Sequence, residues 1–163
     1  MADLSLSYGG YSSAGVKSEN QDAFAVWHGQ GSQLKEKGVV AAMADGVSAC
    51  AKAKEAANSA VTTFVLDYLQ TPVTWTVKRS AQQVLQSVNR WCYGQNAFAT
   101  GGGSQAVTTF SGLIFKSNSA FVFHAGDSRI YRYQNGDLEQ LTLDHCIKPV
   151  SYTHLTLPTI YSV

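Results

Sequence analysis

Apolar residues are distributed along this chain in two rhythms. Residues 39–45 read Val-Val-Ala-Ala-Met-Ala-Asp, an unbroken run of small or apolar side chains closed by an acid. That is the pattern of a buried strand with one carboxylate at its end. Residues 22–28, Asp-Ala-Phe-Ala-Val-Trp-His, predict a second strand with its acid at the start. The polar connection 29–38, bounded by Gly29 and Gly38, makes the two strands arms of a hairpin and brings Asp22 near Asp45. Upstream, residues 4–8 alternate and then meet Gly9-Gly10, which predicts a short strand running into a loop.

From residue 49 the period changes. Ala53, Ala57, Ala60, Val61, Phe64, Val65 and Tyr68 recur every three or four positions, predicting an amphipathic helix over 49–70 that Thr71-Pro72 ends. A second helix over 75–93 carries Val77, Ala81, Val84, Leu85, Val88, Trp91 and Cys92 on one stripe, with Gly94 as its C-cap. Consecutive helices of this kind pack as a pair on a sheet. After a glycine-rich loop containing Gly101-Gly102-Gly103-Ser104, strand-like runs return at 106–115, 120–125, 128–134 and 138–143. Asn135-Gly136 between the last two is a strong hairpin signal.

Composition adds mainly exclusions. With 45% hydrophobic and 14% charged residues, the 163-residue chain has enough apolar material for a core. A formal charge of +1, with no block of either sign, is not the footprint of a nucleic-acid or polybasic membrane binder. No apolar run reaches the roughly 20 residues of a membrane span, and residues 1–10 lack the signal-peptide pattern, so a cytoplasmic location is expected. Cys50, Cys92 and Cys146 are odd in number and far apart, which fits reduced thiols.

The chemistry concentrates on Asp45. A charge at the mouth of an apolar strand calls for a positive partner, and Gly46 leaves its own carbonyl sterically open beside it. Carboxylate plus carbonyl is hard-oxygen ligation suited to Mg2+ or Mn2+; the alternative is a plain Asp-Gly turn after a strand. The loop 10–18 comes within one position of a phosphate-binding P-loop, but Lys17 is one residue late and no helix follows. It delivers Lys17, Asn20 and Asp22 to a strand end instead. Further on, Gly126-Asp127 is a tight turn whose acid Arg129 can hold by a forked ion pair, and His124 and His145 are read as structural. A cysteine phosphatase is excluded because Ala56, Phe98 and Tyr152 stand where its arginine must follow Cys50, Cys92 and Cys146. No Gly-x-Ser-x-Gly supports a serine hydrolase.

Taken in order, Gly15-Val16-Lys17-Ser18-Glu19-Asn20-Gln21-Asp22-Ala23-Phe24, then Ala44-Asp45-Gly46, then Gly126-Asp127-Ser128-Arg129-Ile130-Tyr131 and Asp144-His145 resemble the PPM-type (PP2C-like) metal-dependent protein serine/threonine phosphatases. The resemblance covers roughly residues 5 to 147. It implies an α+β fold, an α/β/β/α layered sandwich of two antiparallel sheets flanked by helix pairs. It also implies two Mn2+ or Mg2+ ions held by Asp45 and the Gly46 carbonyl, with Asp22 as carboxylate of the second metal. In the complete gene product, which would hold both ions, a metal-activated water would then hydrolyse phosphoserine or phosphothreonine in proteins, with no phosphoenzyme. Lys17 stands where the family has a phosphate-gripping arginine; it keeps the charge and loses the planar fork, so reduced activity is expected. Val47-Ser48-Ala49 replaces the family's small residue and two glycines. These two departures motivate the competing expectation, a noncatalytic phosphoprotein-binding or regulatory module with a degenerate site. Bacterial members are often fused to other domains, so a fused or partner protein kinase is an expected association.

The resemblance stops near Pro149. The family continues into strands bearing two further metal-binding aspartates, whereas residues 150–163 contain no acid and are similar to translated sequencing-adaptor DNA. Residues 1–149 are therefore expected to be a partial, C-terminally truncated phosphatase domain and 150–163 a non-native tail.

Overall fold

The computed structural model describes residues 5–97, 106–145 and 161–162. Leu4, the run Gly101-Gly102-Gly103-Ser104, Cys146 and most of the expected tail, 150–160 and Val163, lie outside them. Among the described residues the elements are β1 (Asp22–His28), α1 (Ser32–Lys37), β2 (Val39–Asp45), α2 (Ala53–Gln70), α3 (Val77–Ala97), β3 (Phe110–Lys116), β4 (Ser119–Ala125), β5 (Tyr131–Gln134), β6 (Asp137–Gln140) and β7 (Tyr161–Ser162). They build two antiparallel sheets, one of five strands in the order β1-β2-β3-β4-β7 and one made of β5 and β6.

The alternation along β2 sets the larger sheet's two faces. Val40, Ala42 and Ala44 are buried and face the helices, joined there by Ala23, Phe110, Ile114 and Phe123. α2 lies directly on β1 and β2 and presents Ala57, Ala60, Val61, Phe64, Val65 and Tyr68 to them, while α3 packs on α2 through Val77, Ala81, Val84 and Val88. Alanines dominate where helix meets strand because small side chains allow close approach. Among the described residues α2 and α3 are the single long helix pair. On the opposite sheet face Phe24 and Met43, cross-strand partners in β1 and β2, are 46% and 45% exposed.

Several boundaries differ from the sequence expectation. Residues 5–8 form no strand. α2 begins at Ala53 rather than 49, because Cys50 and Ala53 donate their amides to the Val47 and Cys50 carbonyls in successive turns. Gly94 is not a cap: α3 continues to Ala97. Trp91, placed on the buried stripe by its spacing, is 39% exposed at the edge of the helix pair. β3, β5 and β6 are shorter than their apolar runs; the Asn135-Gly136 hairpin forms as expected, with Gln134 paired to Asp137 and positive φ at both turn residues.

The connection 29–38 holds a helix that its polar composition hides. α1 ends on Lys37, a lysine with only 7% exposure, whose ammonium donates to the carbonyls of Tyr68 and Thr71 and, at 2.9 Å, to the Thr71 hydroxyl. Those carbonyls belong to the end of α2, where helix groups lack partners and a cation is favoured. Tyr68 returns a hydrogen bond to the Lys37 carbonyl at 3.2 Å, and Thr71 continues to Ser80 of α3 at 2.9 Å. Burial, reinforced by the nearby Lys116, lowers the Lys37 pKa, and burial pushes the Tyr68 phenol up to about 12.

Candidate active site

The site forms where β1 begins and β2 ends. Because the two strands are antiparallel with Asp22 registered on Asp45, their acids meet. The Asp45 pKa is raised, first by partial burial and then by the charge of the adjacent Asp22 carboxylate, which can also accept a hydrogen bond from the protonated Asp45; Lys17 opposes the rise and Asp127 adds to it. Like charges held this close disfavour joint ionisation, and a bound cation removes the conflict. The pair opens into a cleft of about 250 Å³ lined also by Tyr11, Ser12, Ser128 and Arg129.

The approach loop is shaped by Asn20, whose side chain accepts from the Asp22 amide at 3.0 Å and donates to Ser12 Oγ at 2.7 Å. This local turn places Asp22 at the strand start. Lys17 follows a turn closed by its amide on the Ala14 carbonyl, and its ammonium donates to Ser48 Oγ at 3.0 Å. Gly46 is fixed by its amide, which donates a hydrogen bond to the Gln21 carbonyl at 3.1 Å, and a Cβ there would meet the Ala53 carbonyl oxygen at 2.3 Å. Only glycine lets the first turn of α2 close over the end of β2. Among the described residues no donor is directed at the Gly46 carbonyl.

Asp45, Gly46, Asp22 and Lys17 are thus gathered at one end of the β1–β2 hairpin. Asp127 lies near enough for its charge to act on Asp45. Arg129 does not hold Asp127. Its Nε and Nη2 fork onto the Asp144 carboxylate at 2.9, 3.2 and 2.6 Å, because the chain after β6 returns alongside 128–130 and donates the Leu141 amide to the Ile130 carbonyl. Those hydrogen bonds hold the Asp144 carboxyl below its usual range.

Sequence reading assigned no site role to Thr108 and Thr109, which bracket the Asp45 backbone, nor to the way the two histidines clamp Gly126. The His124 and His145 rings stack at 5.1 Å. His124 Nε2 donates to the Gly126 carbonyl at 3.0 Å, so its Nδ1 accepts from Ser111 Oγ at 3.2 Å; the Gly126 amide donates to His145 Nδ1 at 3.3 Å. This arrangement uses a neutral His124, and burial together with the adjacent His145 lowers its pKa. The unfolded chain then binds a proton at about pH 6.5 that the folded chain refuses. Stability is expected to hold above pH 6.5 and to fall as pH drops from there through the lowered pKa. Melting temperatures from pH 7.5 to 5 should show this slope, and His124→Gln should flatten it; an equal slope in the variant would assign the effect elsewhere.

A sequence profile of the family described as Protein phosphatase 2C matches residues 9–157. The chain belongs to that family. No curated protein matches it. Among solved protein phosphatase 2C-like structures, the serine/threonine phosphatase PstP/Ppp of Mycobacterium tuberculosis is 18% identical with a TM-score of 0.66, over 91% of this chain and 68% of that one. The catalytic domain of PstP, solved in complex with 2 manganese ions, is 19% identical with a TM-score of 0.68, over 91% and 67%. The phosphatase MsPP of Mycobacterium smegmatis, solved in complex with cacodylate, is 24% identical with a TM-score of 0.60, over 80% and 49%. The chain therefore spans from about half to about two thirds of these relatives. These likenesses agree with a PP2C-like fold of two antiparallel sheets. No helix among the described residues is long and apolar enough to cross a membrane.

Proposed function

We propose that the protein works as a metal-dependent protein serine/threonine phosphatase, hydrolysing phosphoserine and phosphothreonine in cytoplasmic proteins. The observation that carries this reading is the pair of facing carboxylates, Asp22 and Asp45, at the mouth of adjacent strands with a cation, Lys17, beside them. Two carboxylates and the Gly46 carbonyl are hard-oxygen donors, the chemistry of Mn2+ and Mg2+ sites. Among the described residues they form no cluster of three or more acidic, histidine or cysteine side chains, so further donors must complete the shell. Asp45 and Gly46 would hold such ions with Asp22 on the second. When bound, the ions supply an activated water and neutralise charge on the phosphoryl group.

The chain's own residues orient the substrate. Lys17 can exchange its bond to Ser48 for one to a phosphate oxygen and so hold the group against the acid pair. The oxygen of water bonds to phosphorus as the bond to the serine or threonine oxygen breaks; one proton of that water ends on the departing oxygen, which leaves as the hydroxyl, and the other stays on the phosphate. A lysine binds phosphate as a point charge, whereas arginine binds it in two parallel bonds.

Mn2+-dependent phosphate release from a phosphothreonine peptide by the complete gene product tests the proposal; no release from it at any Mn2+ concentration would overturn it. Within that assay Lys17→Arg is expected to lower KM severalfold. An unchanged KM would remove Lys17 from phosphate binding.

A further inference from the structure

The ladder pairs of β2 with β3 end at Met43 and Ser111, but the isolated bridge between Gly46 and Thr108 keeps the same register. Thr109 therefore stands directly opposite Asp45. In a regular antiparallel ladder, residues paired this way exchange two backbone N–H···O=C bonds. Here only one is a backbone bond: the Thr109 amide donates to the Asp45 carbonyl at 2.8 Å. The Asp45 amide donates to Thr109 Oγ1 at 3.0 Å. A side-chain hydroxyl has taken the place of the ladder carbonyl. Thr108 Oγ1 lies 3.0 Å from both the Asp45 and the Thr109 carbonyl oxygens and can give its one proton to either.

Thr109 Oγ1 also lies 2.8 Å from Ser128 Oγ. Its Cβ and Cγ2 press on the turn before Ser128, so that a Cβ added at Gly126 would meet them at 2.8 Å. The residue is 9% exposed, so water does not compete freely for its hydroxyl. Two chain segments that reach the cleft from different strands thus converge on one oxygen: the end of β2 carrying Asp45, and the turn carrying Asp127.

We infer that Thr109 is a positioning residue of the active site, its hydroxyl fixing the Asp45 backbone and tying it to the 126–128 turn so that both acids keep one spacing. This rests on the metal-dependent reading proposed above. Groups that orient a ligand residue are worth about 10- to 100-fold in metal affinity. Valine has threonine's shape without the hydroxyl, and serine keeps the hydroxyl without the methyl, so the two replacements separate positioning from packing.

The test is a Mn2+ titration of the full chain, read as free Mn2+ by electron paramagnetic resonance, together with amide hydrogen exchange at Asp45. Thr109→Val is expected to weaken Mn2+ binding about tenfold or more and to speed Asp45 exchange, and Thr109→Ser to restore both. Wild-type Mn2+ affinity in Thr109→Val overturns the inference and leaves the metal reading intact. A wild-type chain that binds no Mn2+ while Asp45 exchange still responds overturns both. Should Thr109→Val fail to fold, Ser128→Ala decides: weaker Mn2+ binding supports the tie, and unchanged binding overturns it.

Discussion

Asp45→Asn is expected to lower Mn2+-dependent phosphate release by about 10³-fold or more, the scale of several kcal/mol of metal-supplied stabilisation. Asparagine keeps the shape of the side chain and removes the charge that a divalent ion requires. The same substitution also removes the repulsion between Asp45 and Asp22, which adds to burial in raising the Asp45 pKa. Without metal the variant should therefore melt slightly higher than the wild type. Both acids sit at the rim of the cleft in contact with solvent, so the gain is about 0.5 kcal/mol, or 1–2 °C in a domain of this size. Activity and stability moving in opposite directions is the signature of a charge kept for binding. A variant that loses activity and also melts much lower would show instead that Asp45 supports the fold.

The largest loss of stability is expected at Phe64. It is fully buried, packs edge-on against Phe110 at 4.8 Å, and sits near Tyr68 and Phe123 at 6.3 and 6.2 Å. Gly112 lies beneath it, close enough that an added Cβ would be 3.3 Å from the ring. Phe64→Ala opens a cavity between helix and sheet, at a cost of about 3–5 kcal/mol. Against a total of roughly 5–15 kcal/mol for a native domain, most of the stability goes. Urea unfolding measures it directly. Leu66, on the solvent side of the same helix and 56% exposed, provides the control, with an expected change within about 0.5 kcal/mol on replacement by alanine.

The parts of this molecule that follow a repeat were readable in the sequence. The apolar run of β2 and the acid-first run of β1 predicted both strands and the meeting of Asp22 with Asp45, because alternation and strand length fix which ends coincide. The helical stripe predicted the buried face of α2 for the same reason. What escaped has no period. α1 is six residues long without an apolar stripe, and only contacts with residues more than 30 positions away bury its last lysine. Arg129 was matched with the acid two residues away, while the chain supplied one 15 residues away by folding back. A threonine hydroxyl acting in a sheet ladder leaves no mark at all in composition or spacing. The approach loop lies between these cases: its motif order was legible, whereas the bond from Lys17 to Ser48 depends on how the chain turns after Gly46.

Lys37 has a consequence for anyone wishing to graft onto this scaffold. By composition, 29–38 is the obvious place to insert a tag or a binding peptide: polar, glycine-bounded and joining two strands. Tolerance follows the burial and bonding of the backbone concerned rather than its polarity. Residues 30–33, around Gly31, are exposed and are the place for added length. The second half is bolted by one ammonium to the end of α2, so residues added after Leu34 would pull that bolt and loosen both helices at once. The connection is a graft site on one side of α1 and a hinge pin on the other.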